Sequence, residues 1–362
     1  MSRMFESKLF RAGIWMLLVF LIILVGSQIS FIFRPVIIVL QTLFFPFLLA
    51  GLLYFLIHPA VDWLELKKLP RWLSVLLLFL VIFGLLTLAV SIIGPLIQRE
   101  FVRLMDDFPR IMEEINLTLL SLQENPLLLR LMAERPDFVE EAAAWLTGLL
   151  GNVFRLFIEN VTHYLNVLVG FFITLAMVPF ILFYMLRDGQ QWPQLLYRQF
   201  PQKQAEEIHR TFKEIDKGIS SYIQGVFVVC LCVGVLVYIG YLIVGLDYPL
   251  LLALFLMATN VIPFFGPIIG AVPAIVVGAL HSPLMVLKVL AVIVAVQQIE
   301  SMLISPHVMG RKLSISPLTV TLLVLVSGRM AGLFGMILAL PAFVILKIII
   351  LHIFKYFRPQ KE

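Results

Sequence analysis

Residues 249–279 read P-L-L-L-A-L-F-L-M-A-T-N-V-I-P-F-F-G-P-I-I-G-A-V-P-A-I-V-V-G-A. The stretch is almost wholly apolar, yet Asn260, Pro263, Gly266 and Pro267 interrupt its middle. Each arm has about 12 to 14 residues, or roughly 20 Å of helix, which falls short of the ~30 Å hydrocarbon core of a bilayer. Two half-length arms around such a break predict a re-entrant helical hairpin. Broken backbone at membrane depth is tolerated only where protein buries it or water reaches it, so the break marks a candidate functional site.

The rest of the chain agrees with a membrane setting. Of 362 residues, 61% are hydrophobic and 14% charged, with a mean hydropathy of +1.02. An ordinary soluble domain carries about 25% charged residues, so the composition excludes that class. The net charge of +5 does not point to nucleic acid, because the basic residues are scattered at the ends of apolar runs, where they act as topology signals. Cys230 and Cys232 are two apart, on different sides of one helix, and read as small buried apolar residues.

Taken in order, the runs predict an all-α polytopic membrane protein with six full transmembrane helices and two opposed re-entrant hairpins. Arg3, Lys8 and Arg11 precede a first span, Ala12 to Phe33, expected as an uncleaved anchor with a cytoplasmic N-terminus. Arg34-Pro35 is expected to turn into a second span, Val36 to Ile57, closed by His58-Pro59. Lys67, Lys68 and Arg71 bring the chain back to the cytoplasm before a third span, Trp72 to Ile97. These make an N-terminal scaffold over 1–97.

From Gln98 to Leu150 there are 10 Asp/Glu against 5 Arg and no Lys, with apolar residues at helical spacing. Residues 98–160 are thus expected as an amphipathic helical extracytoplasmic insertion, either packed on the membrane or a neighbouring subunit, or simply solvated. Asn125-Pro126 and Arg135-Pro136 should divide it into short helices. A fourth span, His163 to Leu186, and a basic cytoplasmic amphipathic helix with a Glu206–Arg210 pair complete 161–219.

A transport domain, 220–350, contains the fifth span, Tyr222 to Val244, the first hairpin (249–281), the sixth span, Leu284 to Ile304, and a second broken apolar stretch (317–350). The last breaks at Ser327-Gly328-Arg329, with Gly332 and Gly335 just beyond. Arg311 and Lys312, then Lys347 and the basic tail 351–362, place the sixth span's exit and the C-terminus in the cytoplasm, so the hairpins enter from opposite faces. The competing topology, with each broken stretch as one kinked span, would put Arg311 and Lys312 outside.

Opposed hairpin tips near the midplane are a transporter device, since half-helix ends can bind a substrate or ion. Between them lies V-A-V-Q-Q-I-E-S, with Gln297, Glu300 and Ile304 near one face. Glu300 is the candidate for proton or cation coupling, the alternative being a helix contact at headgroup level. Arg329 is the second candidate, with Glu300 its first-named partner; otherwise it snorkels or forms a structural ion pair. Asn260 serves as a ligand or as a turn residue. The site is therefore expected among Asn260, Pro263, Gly266, Gln297, Glu300, Arg329 and Gly332. There is no phosphate-binding loop and no H-E-x-x-H or G-x-S-x-G, which argues against ATP use and against an enzyme. No cofactor is expected beyond a coupling H+ or Na+.

Several motifs, in order, resemble the autoinducer-2 exporter (AI-2E) family of bacterial membrane transporters. They are P-F-L-L-A-G-L-L-Y-F-L-I-H-P from Pro46, F-Y-M-L-R-D from Phe183, Tyr222-Ile-Gln-Gly225, N-V-I-P-F-F-G-P-I-I-G from Asn260, Ile299-Glu300 with S-P-H-V-M-G from Ser305, and G-L-F-G-M-I-L-A-L-P from Gly332. The resemblance implies a multi-pass protein of the bacterial inner membrane that exports a small polar solute such as the signalling furanone, or exchanges Na+ or Li+ for H+. It also implies a homo-oligomer, a pentamer among its forms, whose mobile hairpin domain carries the site. Membrane lipid and the small solute or monovalent cation are the expected partners, with no nucleic acid. The rival reading is a non-transporting scaffold or regulatory protein acting through the acidic insertion.

Overall fold

The computed structural model describes residues 14–18, 20–21, 30–123, 176–189, 200–309 and 316–357, which are helical with short turns and contain no strand. The helices are α1 (Ser30–Leu66), α2 (Arg71–Gln123), α3 (176–188), α4 (Gln202–Val244), α5 (Pro249–Thr259), α6 (Phe265–His281) and α7 (Pro283–Ile299). A π-helical turn (Glu300–Ile304), α8 (Ser305–Met309) and α9 (Pro317–Phe357) follow. Among the described residues five helical stretches are long and apolar enough to cross a membrane: Arg34–Leu66, Arg71–Asp107, Gln204–Val244, Pro283–Val308 and Pro317–His352. The expected first span lies mostly outside the described residues, as do the start of the fourth and most of the acidic insertion.

Helices here run further than the sequence suggests. Arg34-Pro35 does not form a turn: α1 passes through Pro35, Pro46 and Pro59, so His58-Pro59 does not end it either. Proline removes one N–H and crowds the preceding turn, but apolar helices packed on neighbours absorb that loss. The change of character at Gln98 falls inside α2, which continues through Pro95 and Pro109 from its apolar half into its acidic half. The cytoplasmic amphipathic helix and the fifth span also merge as α4. On it Arg210 pairs with Glu214 at 3.4 Å instead of with Glu206.

The ends that do occur are chemically specified. Gly245, with φ 74°, closes α4, donating its N–H to Leu242, while the Leu246 N–H reaches back to Tyr241. Ser282 caps α7 by accepting the Met285 N–H at 3.1 Å, with Pro283 at the first helical position.

Residues 249–281 form a helical hairpin, α5 and α6, turning at Asn260–Phe264. The turn is tied by Ile262 N–H to Thr259 O (2.9 Å) and Gly266 N–H to Ile262 O (2.8 Å). The arms approach so closely that a Cβ on Gly266 would lie 2.1 Å from the Thr259 carbonyl oxygen. Residues 317–357 also turn back, at Ala331 and Gly332 (φ 60°, ψ −143°). In a continuous helix residues 327 and 335 would be roughly 12 Å apart along the axis, yet a Cβ on Gly335 would stand 1.9 Å from Ser327 O. Val320 and Val324 of one arm share a buried cluster with Ala339 and Leu340 of the other.

Three apolar clusters hold these pieces. One joins α1, α2 and α3 through Ala50, Val61, Val75, Leu182 and Leu186. A second packs Val233 and Tyr241 of α4 against Leu256 of α5, Ala274 of α6 and Val289 of α7. The third seats the α9 arms on Tyr222 of α4 and Ile262 of the first hairpin. Helix α4 is thus the common wall for both hairpins and α7.

Candidate functional site

The tip of the first hairpin, the end of α7 and the middle of α4 line a half-open cavity of about 820 Å³, within the usual range of small-molecule sites. Its polar end is built from three elements. Asn260, 8% exposed at the C-terminus of α5, lines the cavity together with Glu300 and Cys230. Gln297 donates its amide N–H to Glu300 Oε2 at 3.2 Å. The rest of the lining is mainly apolar, with Val229, Phe264, Ile268 and Ile293 among it.

Glu300 begins the π-turn, in which Ser305 N–H bonds back to the Glu300 carbonyl, five residues away. Such wider turns recur at functional sites. Ordinary helical spacing groups Ile304 with Gln297 and Glu300; the wider turn instead brings Ser301 and Ser305 to the cavity with them, and Ile304 packs against the core around α4. Phe264, at the tip, has φ 65°, a region that costs a bulky residue energy and is typical of functional turns.

The expected site residues divide. Asn260, Pro263, Gln297 and Glu300 line the cavity together. Gly266 permits the close approach of the two arms. Arg329 and Gly332 lie elsewhere: the second hairpin reaches the cavity through Val320 and Leu340, well away from its turn. Phe334, beside that turn, packs on Phe45 of α1 with centroids 5.1 Å apart. Arg329 is exposed and makes no ion pair among the described residues, so the Glu300–Arg329 pair is not formed. Cys230 is the cavity residue that a reading of its own helix misses, since only the fold sets it opposite Asn260.

Two polar networks far from the cavity also escape a local reading. At the N-terminal end of α5, the Glu100 carboxylate of α2 accepts the Leu251 N–H at 2.8 Å and the Leu250 N–H at 3.4 Å. Nearby, Tyr248 donates to Asp107, and burial together with that carboxylate pushes the phenol above its ordinary range. Asp247 meets His281 at 2.6 Å, joining the two ends of the hairpin. The second network centres on Arg71, which donates to Leu186 O (2.7 Å), Asp62 (3.0 Å) and Glu65 (2.7 Å). Close to it His58 faces Asp216 of α4 at 3.3 Å. Among the described residues no group of three or more His, Cys, Asp or Glu is arranged to hold a metal ion.

Against known proteins, residues 17–355 match the model of the family described as AI-2E family transporter. The chain is similar to YueF of Bacillus subtilis (strain 168), 37% identical over 359 residues, covering 99% of this chain and 97% of that one. It is similar also to YrrI of the same organism, 31% identical over 93% of this chain and 94% of the relative. PerM of Escherichia coli (strain K12) is 23% identical over 85% of this chain and 88% of its own.

Proposed function

Because the chain belongs to the AI-2E family of transporters, we propose that it is a secondary active transporter of a bacterial inner membrane, moving a small solute or a monovalent cation in exchange for H+. The observation that carries this reading is the Glu300 carboxylate, held by Gln297 and sharing with Asn260 one cavity where two elements interrupt their regular helix. An ionisable group among apolar helices is costly and is kept where it faces a pathway. Glu300 takes up and releases the coupling ion, and Gln297 orients it through the hydrogen bond it donates.

In this reading the two hairpins enter the bilayer from opposite faces, both termini lie in the cytoplasm, and copies of the chain associate as a homo-oligomer. Alternating access is of the elevator type, with α4 to α9 moving against α1 to α3. Such movement requires the bonds from Glu100 and Asp107 to the base of the first hairpin to open in each cycle.

The test is flux in proteoliposomes under imposed proton and sodium gradients across a panel of solutes. Wild-type protein is expected to drive gradient-dependent flux, and Glu300→Gln to lower it by about tenfold or more, the scale of a lost charged interaction. Gradient-dependent flux unchanged in Glu300→Gln would remove the coupling role.

A further inference from the structure

We infer that the cavity binds an organic cation, a protonated amine on an apolar body, with the ammonium group on Glu300. The inference rests on the transport reading for its biological sense and on the cavity for its chemistry. Among the described residues the lining includes one carboxylate and no Lys, Arg or His. An anion would therefore meet the negative charge of Glu300 with no basic side chain among the described lining residues to offset it. The N-terminus of α6 does not supply that offset, because the N–H groups of Phe265 and Gly266 are already bonded to Pro263 O and Ile262 O within the turn.

Size and polarity narrow the class further. A bare alkali ion fills a small part of about 820 Å³, and most of the walls, including Val229, Phe264, Ile268 and Ile293, offer it no ligand. A strongly hydroxylated neutral solute would leave most of its groups against the same apolar walls without partners, which costs free energy for each. An amine with an apolar body satisfies both ends. Its N–H groups reach Glu300 and the neighbouring Ser301 and Ser305 hydroxyls, and its hydrocarbon covers the walls. Glu300 cannot hold a proton and pair with an ammonium at once, so amine binding displaces a proton and couples the two one for one.

Full-length protein in phosphatidylcholine nanodiscs tests this with three matched probes: 1-naphthylmethylammonium, 1-naphthylmethanol and 1-naphthoate, each measured by equilibrium dialysis against empty nanodiscs. The expected result is about tenfold or tighter binding of the ammonium probe than of either other probe, the factor that one buried charge-assisted contact supplies. Glu300→Gln should abolish that preference while moving the alcohol less than about twofold, and Ile268→Trp, which fills the apolar end, should weaken the ammonium probe. Equal binding of the three probes by wild-type protein would overturn the inference whether or not any variant folds, as would an ammonium preference that survives in Glu300→Gln. Glu300-dependent ammonium binding without proton-driven flux in proteoliposomes would leave this site standing and sink the transport reading. Proton-driven flux of another solute, with no ammonium binding or competition, would sink this inference alone.

Discussion

Removing the Glu100 carboxylate should loosen the first hairpin at its base. Helix α5 has eleven residues, and its N-cap, Tyr248, offers no side-chain cap. Its orphan N–H groups at Leu250 and Leu251 are met instead by Glu100, reaching across from α2. The contact at 2.8 Å is a full charge-assisted hydrogen bond and the one at 3.4 Å is weak, so one bond of about 1.5–3 kcal/mol is counted. The helix dipole adds roughly 0.3–1 kcal/mol. Glu100→Ala should thus cost about 2–4 kcal/mol locally, which raises opening of the Leu251 amide by roughly 30- to 900-fold. Glu100→Gln keeps an acceptor and loses the charge, so about 1 kcal/mol and a fivefold to tenfold change are expected. Hydrogen exchange of a peptide spanning 248–256, read by mass spectrometry in nanodiscs, measures both. Glu113→Ala, at an exposed position on the same helix, is the control. An increase below about threefold for Glu100→Ala, or one equal to that of the control, would refute the capping argument.

Further outcomes follow from the turns and the cavity. Gly332→Ala places a side chain at φ 60°, ψ −143° and should cost about 1–3 kcal/mol, whereas Gly51→Ala, inside α1 with nothing within 4 Å, should be neutral or stabilising by up to about 1 kcal/mol; thermal unfolding in detergent should move in different directions for the two. In a Cys232→Ser background, 1-naphthylmethylammonium should slow thiol modification of Cys230, which lines the cavity, and an unchanged modification rate at saturating probe would place the probe elsewhere.

The first break was legible because its signal is local. Asn, Pro and Gly within an apolar run interrupt a helix whatever surrounds it, and the turn falls at Asn260–Phe264. The second break, read at Ser327 to Gly335, contains the turn at Ala331 and Gly332 for the same reason. Proline alone misled: Pro35 and Pro59 lie inside α1, because neighbouring helices and an apolar setting outweigh one missing bond. The change at Gln98 lies inside α2, since a shift from apolar to acidic residues alters what a helix faces with no need for it to end.

By itself, the sequence determined that this is an all-helical, membrane-class chain with two breaks and an ionisable residue between them, and it singled out Glu300, Gln297 and Asn260. Those properties follow from composition, periodicity and backbone-breaking residues, which act over a few positions. Only the tertiary structure decided the partners. It gave Glu300 to Gln297 in place of Arg329 and set Asn260 in the same cavity, widened the turn so that Ser305 faces the cavity, and brought Glu100 to an amide 151 residues away. Such pairings depend on which helix faces meet across the packed core, and no local pattern of residues specifies that.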